Sequence, residues 1–390
     1  GGPTGDNNAN LLPGLVAIPR QDARSEMVLF DLLLQGTVLD MPAGPLRFLV
    51  GGEWRDEQFS ESSDPASAAG KIVQISGRNN SGDRQVFSAF AEVSIPLIKH
   101  LEVKAAGRFE DYSDFGQTVN PKVSLGYRPF RNVLVRASFS EGFRAPGLIQ
   151  LFQGQNEVID GVPRFDPFRL VDLDNDGTAE TNAPVDNAVI VQGGNPNLRE
   201  EISETMDFGL EWRAGDQFLN GLLNGLYFSA DWFRLDIEDQ IDALGVQEAL
   251  DAFGLDPTVV FRAPATAADQ ALNQPGEVLR VANSFVNLGK TEIRAIDAGV
   301  GFQRGSADEG QLDISLKTSW LYSFKRDFDP TSGDTVGLEE FRGTDAVPEW
   351  RGQFNMDWRK DPWSWGVSAN YVGTYDQTFQ SFVGAFGITR

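Results

Sequence analysis

The chain has 390 residues, a formal net charge of −23, no cysteine and a single histidine, His100. The missing cysteines exclude disulfides, thiolate metal sites and cysteine nucleophiles; His100 lies in a short connection, where it reads as solvated, and no second histidine can share a metal with it. The acidic balance argues against nucleic acid, whose binding needs Lys and Arg to neutralise phosphate, and no run of 18 apolar residues offers a transmembrane helix, although a barrel strand needs only every second residue to face lipid.

Taken in chain order, twelve stretches alternate apolar and polar residues. Six run over 29–40, 45–59, 84–95, 101–112, 118–128 and 132–141, and six more over 203–213, 225–238, 292–304, 311–324, 351–359 and 363–374. In the sixth, Val133, Val135, Ala137 and Phe139 alternate with Arg136, Ser138 and Ser140, with Leu134 the exception on the polar side. In the seventh, Met206, Phe208, Leu210 and Trp212 alternate with Thr205, Asp207 and Glu211. The parity predicts that Val133, Val135, Ala137 and Phe139 face lipid and that Arg136, Ser138 and Ser140 face a lumen.

The connections alternate as well. Met41–Gly44, Pro96–His100, Pro129–Arg131, Ala214–Asn224, Gly305–Gly310 and Lys360–Pro362 are short. Between them lie Ser60–Asp83, Ser113–Gln117, Gly142–Ile202, Asp239–Thr291 and Lys325–Trp350, of which four are long. Up-and-down strands would place the short turns on one rim and the long loops on the other, as in an outer-membrane barrel. Trp54, Tyr112, Trp320, Tyr322, Trp358, Trp363, Tyr371 and Tyr375 fall near strand ends, where an interfacial belt would sit. In the loop after Asp239, the spacing predicts a short helix with Ile241, Leu244, Leu250 and Phe253 on one face and Gly254 as C-cap. No glycine-rich phosphate loop is present.

The longest loop holds Asp172-Leu173-Asp174-Asn175-Asp176-Gly177, the opening of a calcium loop. Asp172, Asp174 and Asp176 would converge on one hard cation, Gly177 would allow the sharp turn, Thr178 would offer its carbonyl, and Glu180 would reach the ion through water. Ala183 stands at the twelfth position, where a bidentate glutamate closes such sites. The segment therefore reads either as a solvated acidic turn or as a weak Ca²⁺ site, of roughly 10⁻⁴–10⁻³ M affinity, and no other cofactor is expected.

The segment Val135-Arg136-Ala137-Ser138-Phe139-Ser140-Glu141-Gly142-Phe143-Arg144-Ala145-Pro146 resembles a recurring signature of TonB-dependent outer-membrane receptors, in which a strand ends and a long outside loop opens. Asn195-Pro196-Asn197-Leu198-Arg199-Glu200-Glu201 resembles a second, Asn-Pro-x-Leu-x-x-Glu, leading into the strand at Ser203. Tyr227–Ile241 and, more weakly, Lys290–Gly299 are similar to further strands of the family, with Ala295 where glycine is common. The resemblance spans roughly 29–375. It implies structural roles only. Gly142 lets the chain leave the strand, Pro146 stops the ladder, and Asn195-Pro196 begins a turn.

The fold implied is all-β, an up-and-down antiparallel transmembrane β-barrel, partial at about twelve strands, with long extracellular loops and short periplasmic turns. Residues 1–390 read as part of a barrel that in this family has 22 strands around an N-terminal plug. No plug-like segment and no TonB box is recognised, and Gly1-Gly2-Pro3 reads as an internal point of a longer protein. The resemblance implies a receptor in the outer membrane of a Gram-negative bacterium, not an enzyme. Such a receptor imports a scarce solute: a siderophore, cobalamin, a saccharide or a metal chelate. Its partners would be outer-membrane lipid, the solute at the outside loops, and a TonB-type inner-membrane protein acting through the plug. A passive porin or barrel adhesin shares the alternation but not the two signatures. A soluble all-β binding protein is a third reading, and no fixed-period repeat supports it.

Overall fold

Period-two alternation is the code of a sheet with two different faces, and the computed structural model has such a sheet. It describes residues 18–69, 71–72, 77, 79–159, 162–172, 181–185, 188–215, 223–306, 309–327 and 347–375, with the backbone of 339–340. In chain order the elements begin with β1 (Gln21–Met41), β2 (Gly44–Ser63), α1 (Pro65–Ala68), β3 (Asn80–Ile98), β4 (Leu101–Tyr112), β5 (Gly116–Phe130) and β6 (Val133–Arg144). The first long loop holds α2 (Leu148–Phe152), β7 (Asn156–Val158), β8 (Phe165–Val171), β9 (Thr181–Pro184) and β10 (Val189–Gly193). Then come β11 (Glu201–Arg213) and β12 (Leu226–Ala243), followed by α3 (Val246–Phe253), β13 (Val260–Arg262) and α4 (Ala267–Ala271). The chain continues with β14 (Val278–Ser306), β15 (Gly310–Asp327), β16 (Glu339–Glu340), β17 (Trp350–Lys360) and β18 (Trp363–Val372).

Twelve of these strands form one wall in the order β1-β2-β3-β4-β5-β6-β11-β12-β14-β15-β17-β18, and each neighbouring pair is antiparallel. They are the twelve predicted stretches. The wall is open, with β1 and β18 at its edges. Several strands outrun their predicted limits: β1 starts at Gln21 and β14 at Val278, because both keep pairing well beyond the long-loop rim. The predicted connection Ser113–Gln117 tightens to a turn between β4 and β5.

Directly opposed residues share a face, so the registers sort the side chains. One row crosses nine strands as Ile95, Val103, Leu125, Ala137, Phe208, Trp232, Ile296, Trp320 and Trp350. One residue along, on the opposite face, runs Glu102, Gly126, Arg136, Gly209, Asp231, Asp297, Ser319 and Arg351. The predicted alternation of β6 is present: Val133, Val135, Ala137 and Phe139 share one face, while Arg136, Ser138 and Ser140 share the other. Arg136 is satisfied on its face. Its guanidinium donates to Asp231 at 2.7, 2.8 and 3.0 Å and to Glu211 at 2.9 Å. The contact passes over Gly209, where a Cβ would lie 2.2 Å from Asp231 Oδ1 and 2.4 Å from Arg136 Nε.

Aromatic side chains band the apolar face. Trp320 stacks on Trp350 at 5.3 Å, Trp232 donates to the Tyr322 hydroxyl at 2.6 Å, and Trp358 stacks on Trp365 at 6.4 Å. Trp350 and Trp358 share one face of β17, ~26 Å apart along the strand at ~3.3 Å per residue. With the tilt of barrel strands this approaches the ~25 Å apolar band of outer-membrane barrels. Tyr112 departs from the predicted belt. It lies in the row of Val86 on the polar face, is buried, and donates to Glu110 at 3.4 Å, because its even position in β4 groups it with Arg108 and Glu110.

The buried apolar clusters lie at the long-loop rim, where the loops pack on the upper ends of β12 and β14. The predicted helix is present as α3, followed by Gly254, but it begins at Val246. Ile241 and Leu244 are not on it. β12 continues to Ala243 by pairing with Phe285–Gly289, and Ile241 packs with Leu151 and Leu198 instead.

Candidate functional site

The two signatures meet at the long-loop rim. Arg144, the last residue of β6, opposes Glu201, the first of β11. Arg144 Nε donates to Glu201 Oε2 at 2.7 Å, and Nη2 closes a second bond to Oε1. The same Oε1 accepts the Ile241 N–H at 2.7 Å. One buried carboxylate thus ties β6, β11 and β12 where the two longest loops leave the wall. The other signature residues support this point. Gly142 lies against Ser203, whose Oγ would be 3.0 Å from an added Cβ, and Phe143 meets the Tyr112 ring edge-on at 5.8 Å. Ala145 is half-buried, and the buried Pro146 ends the ladder while its carbonyl accepts from Arg84 at 2.8 Å. Asn195 Oδ1 accepts the Asn197 N–H at 2.9 Å across the Pro196–Asn197 turn, and its Nδ2 donates to the Phe285 carbonyl at 2.8 Å. Leu198 is buried against Leu151 and Ile241.

Beyond that tie, the two loops fold together. The upper part of β14 pairs with β10 in parallel and with β13 antiparallel, and β7 adds to β10. Val185, Ile190, Leu244, Val246, Ala249, Leu250, Val260, Val278 and Val281 make a small core between this sheet and α3. Long-range polar contacts brace it. Arg262 donates to the buried Asp166 (2.9 Å to Oδ1) and to the carbonyls of Gly254 at 2.8 Å and Gly276 at 3.0 Å. Arg169 donates to Asp269 at 3.1 Å, and Gln274 donates to the Leu170 carbonyl at 3.1 Å. Hydrogen bonds from Thr266, at 2.7 and 2.9 Å, hold the Asp269 carboxyl well below the usual carboxylate range.

On the polar face of the wall, Arg84 pairs with Glu57 at 2.6 Å and Asp114 at 3.4 Å, and Arg108 pairs with Glu110 at 2.6 Å and Glu53 at 3.5 Å. Burial pushes the Asp114 carboxyl up, against the pull of Arg84. Two hollows lie farther along this face. One, of about 540 Å³, is lined by Asp231, Asp297, Lys317, Arg351, Gln353 and Asn370. The other, of about 350 Å³, is lined by Phe233, Ile293, Ala295, Leu321, Phe324 and Pro348, with the charged Glu349 and Arg351 at its border.

The acidic segment is only partly described. Asp172 follows β8, whereas Asp174, Asp176 and Glu180 lie outside the described residues. Ala183, at the twelfth position, is buried in β9 opposite Asp166. Among the described residues no three His, Cys, Asp or Glu side chains converge as metal ligands. The sequence reading missed the Arg144–Glu201 tie and the joint folding of the loops. The runs Val189-Ile190-Val191 and Val278–Ala282 carried a strand signal, but their partners are remote in the chain.

A family model described as TonB dependent receptor-like, beta-barrel matches residues 4–389. The vitamin B12 transporter BtuB of Vibrio cholerae is 28% identical over 105 residues, which are 27% of this chain and 15% of that protein. Among solved structures, the siderophore receptor PirA of Acinetobacter baumannii superposes with a TM-score of 0.59 at 15% identity, covering 90% of this chain and 44% of that one. The ferric enterobactin receptor PfeA of Pseudomonas aeruginosa, as its R480A mutant with enterobactin, gives 0.60 at 16% identity, covering 90% and 42%. At such identities the likeness is one of fold. The chain spans less than half the length of these relatives.

Proposed function

This chain belongs to the TonB-dependent receptor β-barrel family, and from that premise we propose that it is the wall and loop layer of an outer-membrane receptor that takes up a scarce solute by energy-coupled import. The observation that carries the reading is the two-faced wall: an apolar row unbroken over nine strands, backed by a polar row one residue away. A soluble sheet would hide its apolar face under other layers. Here the elements outside the wall gather at the loop rim, and the apolar face stays exposed, as contact with lipid would require. The loop unit and the upper polar face would contact the solute, and an inner-membrane protein of the TonB type would drive release through a plug in the lumen. Release requires that the solute bind differently in two states of the receptor. A siderophore, cobalamin, saccharide or metal chelate suits this architecture, and a weak Ca²⁺ site at 172–180 would order the outer loop.

The test is uptake of a panel of labelled nutrients by cells in which the intact protein is the only route. The proposal expects saturable uptake of one class, abolished by a proton-motive-force uncoupler or by loss of the energy-coupling protein. Non-saturable uptake that survives both would make the barrel a passive porin, and no uptake with retained surface binding would make it an adhesin.

A further inference from the structure

We propose that the neighbouring β3–β4 and β5–β6 turns form a docking site for the headgroup of an anionic phospholipid at the short-turn rim. Lys99 and His100 make the first turn, and Arg131 and Asn132 make the second. Backbone bonds hold both beside the end of β11: the Arg128 N–H donates to the His100 carbonyl at 2.8 Å, and the Arg213 N–H donates to the Asn132 carbonyl at 2.9 Å. Lys99, Arg128, Arg131 and Arg213 are exposed. Among the described residues none of the four has a carboxylate within ion-pair distance. The acids on the adjoining strand ends are already occupied. Glu102 lies 3.7 Å from Lys104 and accepts from Ser94 at 2.9 Å, and Glu211 pairs with Arg136 at 2.9 Å. In a chain of net charge −23, four uncompensated cations gathered on adjacent turns make a local site for an anion.

The neighbours of these cations decide the kind of anion. Ile98, next to Lys99, is 58% exposed, and Phe130, next to Arg131, is 68% exposed. Leu125, Tyr127 and Val135 continue the apolar face away from the turns, and all three are exposed. A lipid uses both features: its acyl chain lies on the apolar side chains, while the Lys and Arg stems follow that surface and bring their charges to the phosphate. A soluble anion would use the cations alone. The opposite rim lacks the arrangement, because its cations are neutralised. Arg234, two residues beyond Trp232 on the apolar face, donates to Asp236 at 2.6 Å; Arg294, opposite it, donates to Glu292 at 3.2 Å; and Lys290 lies 3.4 Å from Glu238. Short turns of outer-membrane barrels lie on the periplasmic side, where the leaflet is phospholipid, and a basic cluster at a bilayer surface favours its anionic members. The site depends on the place of the wall in a membrane and not on which solute the receptor takes up.

The probes are phosphatidylglycerol and phosphatidylcholine carrying the same diazirine on the same acyl carbon near the glycerol. Each is present in trace amount in phosphatidylcholine vesicles that hold the intact protein, and the labelled peptides are identified by mass spectrometry after irradiation. In the wild type, residues 97–101 and 127–133 should take up the anionic probe about fivefold more than the zwitterionic one, the factor that one cation near a headgroup supplies. Residues 232–238 and 292–296, at the other rim, should take up both equally. Molar salt should shrink the difference, since these charges are exposed. Lys99→Gln combined with Arg131→Gln should bring the ratio close to one, with heat-modifiable electrophoretic migration reporting that the barrel is folded. Equal labelling of residues 97–101 and 127–133 by the two probes in the wild type overturns the proposal without recourse to any variant, as does an unchanged ratio in the folded double variant. Equal labelling together with retention on isolated peptidoglycan, lost in the double variant, would assign the cations to cell-wall carboxylates and overturn lipid docking.

Discussion

The wall and the loop unit keep polar groups out of apolar surroundings in opposite ways. In the wall, position along the strand decides everything: Ala137 and Phe208 stand in an apolar row while Arg136, one residue away, is bound by Asp231 and Glu211. In the loop unit there is no such rule. Asp166 is buried and tolerated because Arg262, 96 residues away, reaches it, and Leu250 is buried because Ile190 and Val281 come from other segments to cover it. The wall is therefore robust to sequence change that respects parity, whereas the loop unit depends on individual long-range pairs.

The largest effect should come from cutting such a pair. Arg262→Ala leaves the Asp166 carboxylate buried without its cation, a change that costs about 3–5 kcal/mol in comparable sites. Hydrogen exchange should rise across 189–193 and 246–262 while the wall strands stay protected. Loss of protection in β4–β6 as well would show that the two regions are not independent. Next, Val135→Arg places a cation on the apolar face at about 2–4 kcal/mol, whereas Ser138→Arg stays on the polar one. Refolding into vesicles should fail for the first and proceed for the second, and equal yields would break the parity account. Gly209→Ala is smaller, about 1–3 kcal/mol, because the new methyl must displace the Arg136–Asp231 pair. Its refolding yield should lie between those two.

The smallest effect concerns pH. Asp269 has a folded-state carboxyl held below its ordinary value, so the stability it adds is present above about pH 4, the unfolded value, and is lost as pH falls towards the folded one. Exchange in 266–274 should increase at pH 3 relative to pH 6, and Asp269→Asn should remove that pH dependence. The same dependence in the variant would place its origin elsewhere.

Much of the wall could be read from the chain. Trp363, Trp365, Val367, Ala369 and Tyr371 alternate with small polar residues in β18, and two different media on the two faces leave no other arrangement for such a pattern. Tyr112 was misplaced by proximity to a strand end, although its parity with Arg108 and Glu110 pointed inwards. The loop unit was illegible for a physical reason. β10 lies parallel to β14 across some 90 residues, and nothing local to Val189 or Arg280 encodes that pairing. The two signatures marked where the loops leave the wall, but not that Arg144 and Glu201 bind one another there.

These 390 residues hold no cysteine, so with any cysteine elsewhere in the intact protein replaced by serine the most direct test is a clean one. Single substitutions to cysteine at each position from Val133 to Ser140, spin-labelled in the intact protein in lipid vesicles, report contact with oxygen dissolved in the bilayer and with a water-soluble nickel chelate. The account predicts a period of two, with positions 133, 135, 137 and 139 favouring oxygen and positions 136, 138 and 140 shielded from it. A flat profile, or the reversed phase with position 136 in lipid, would contradict it.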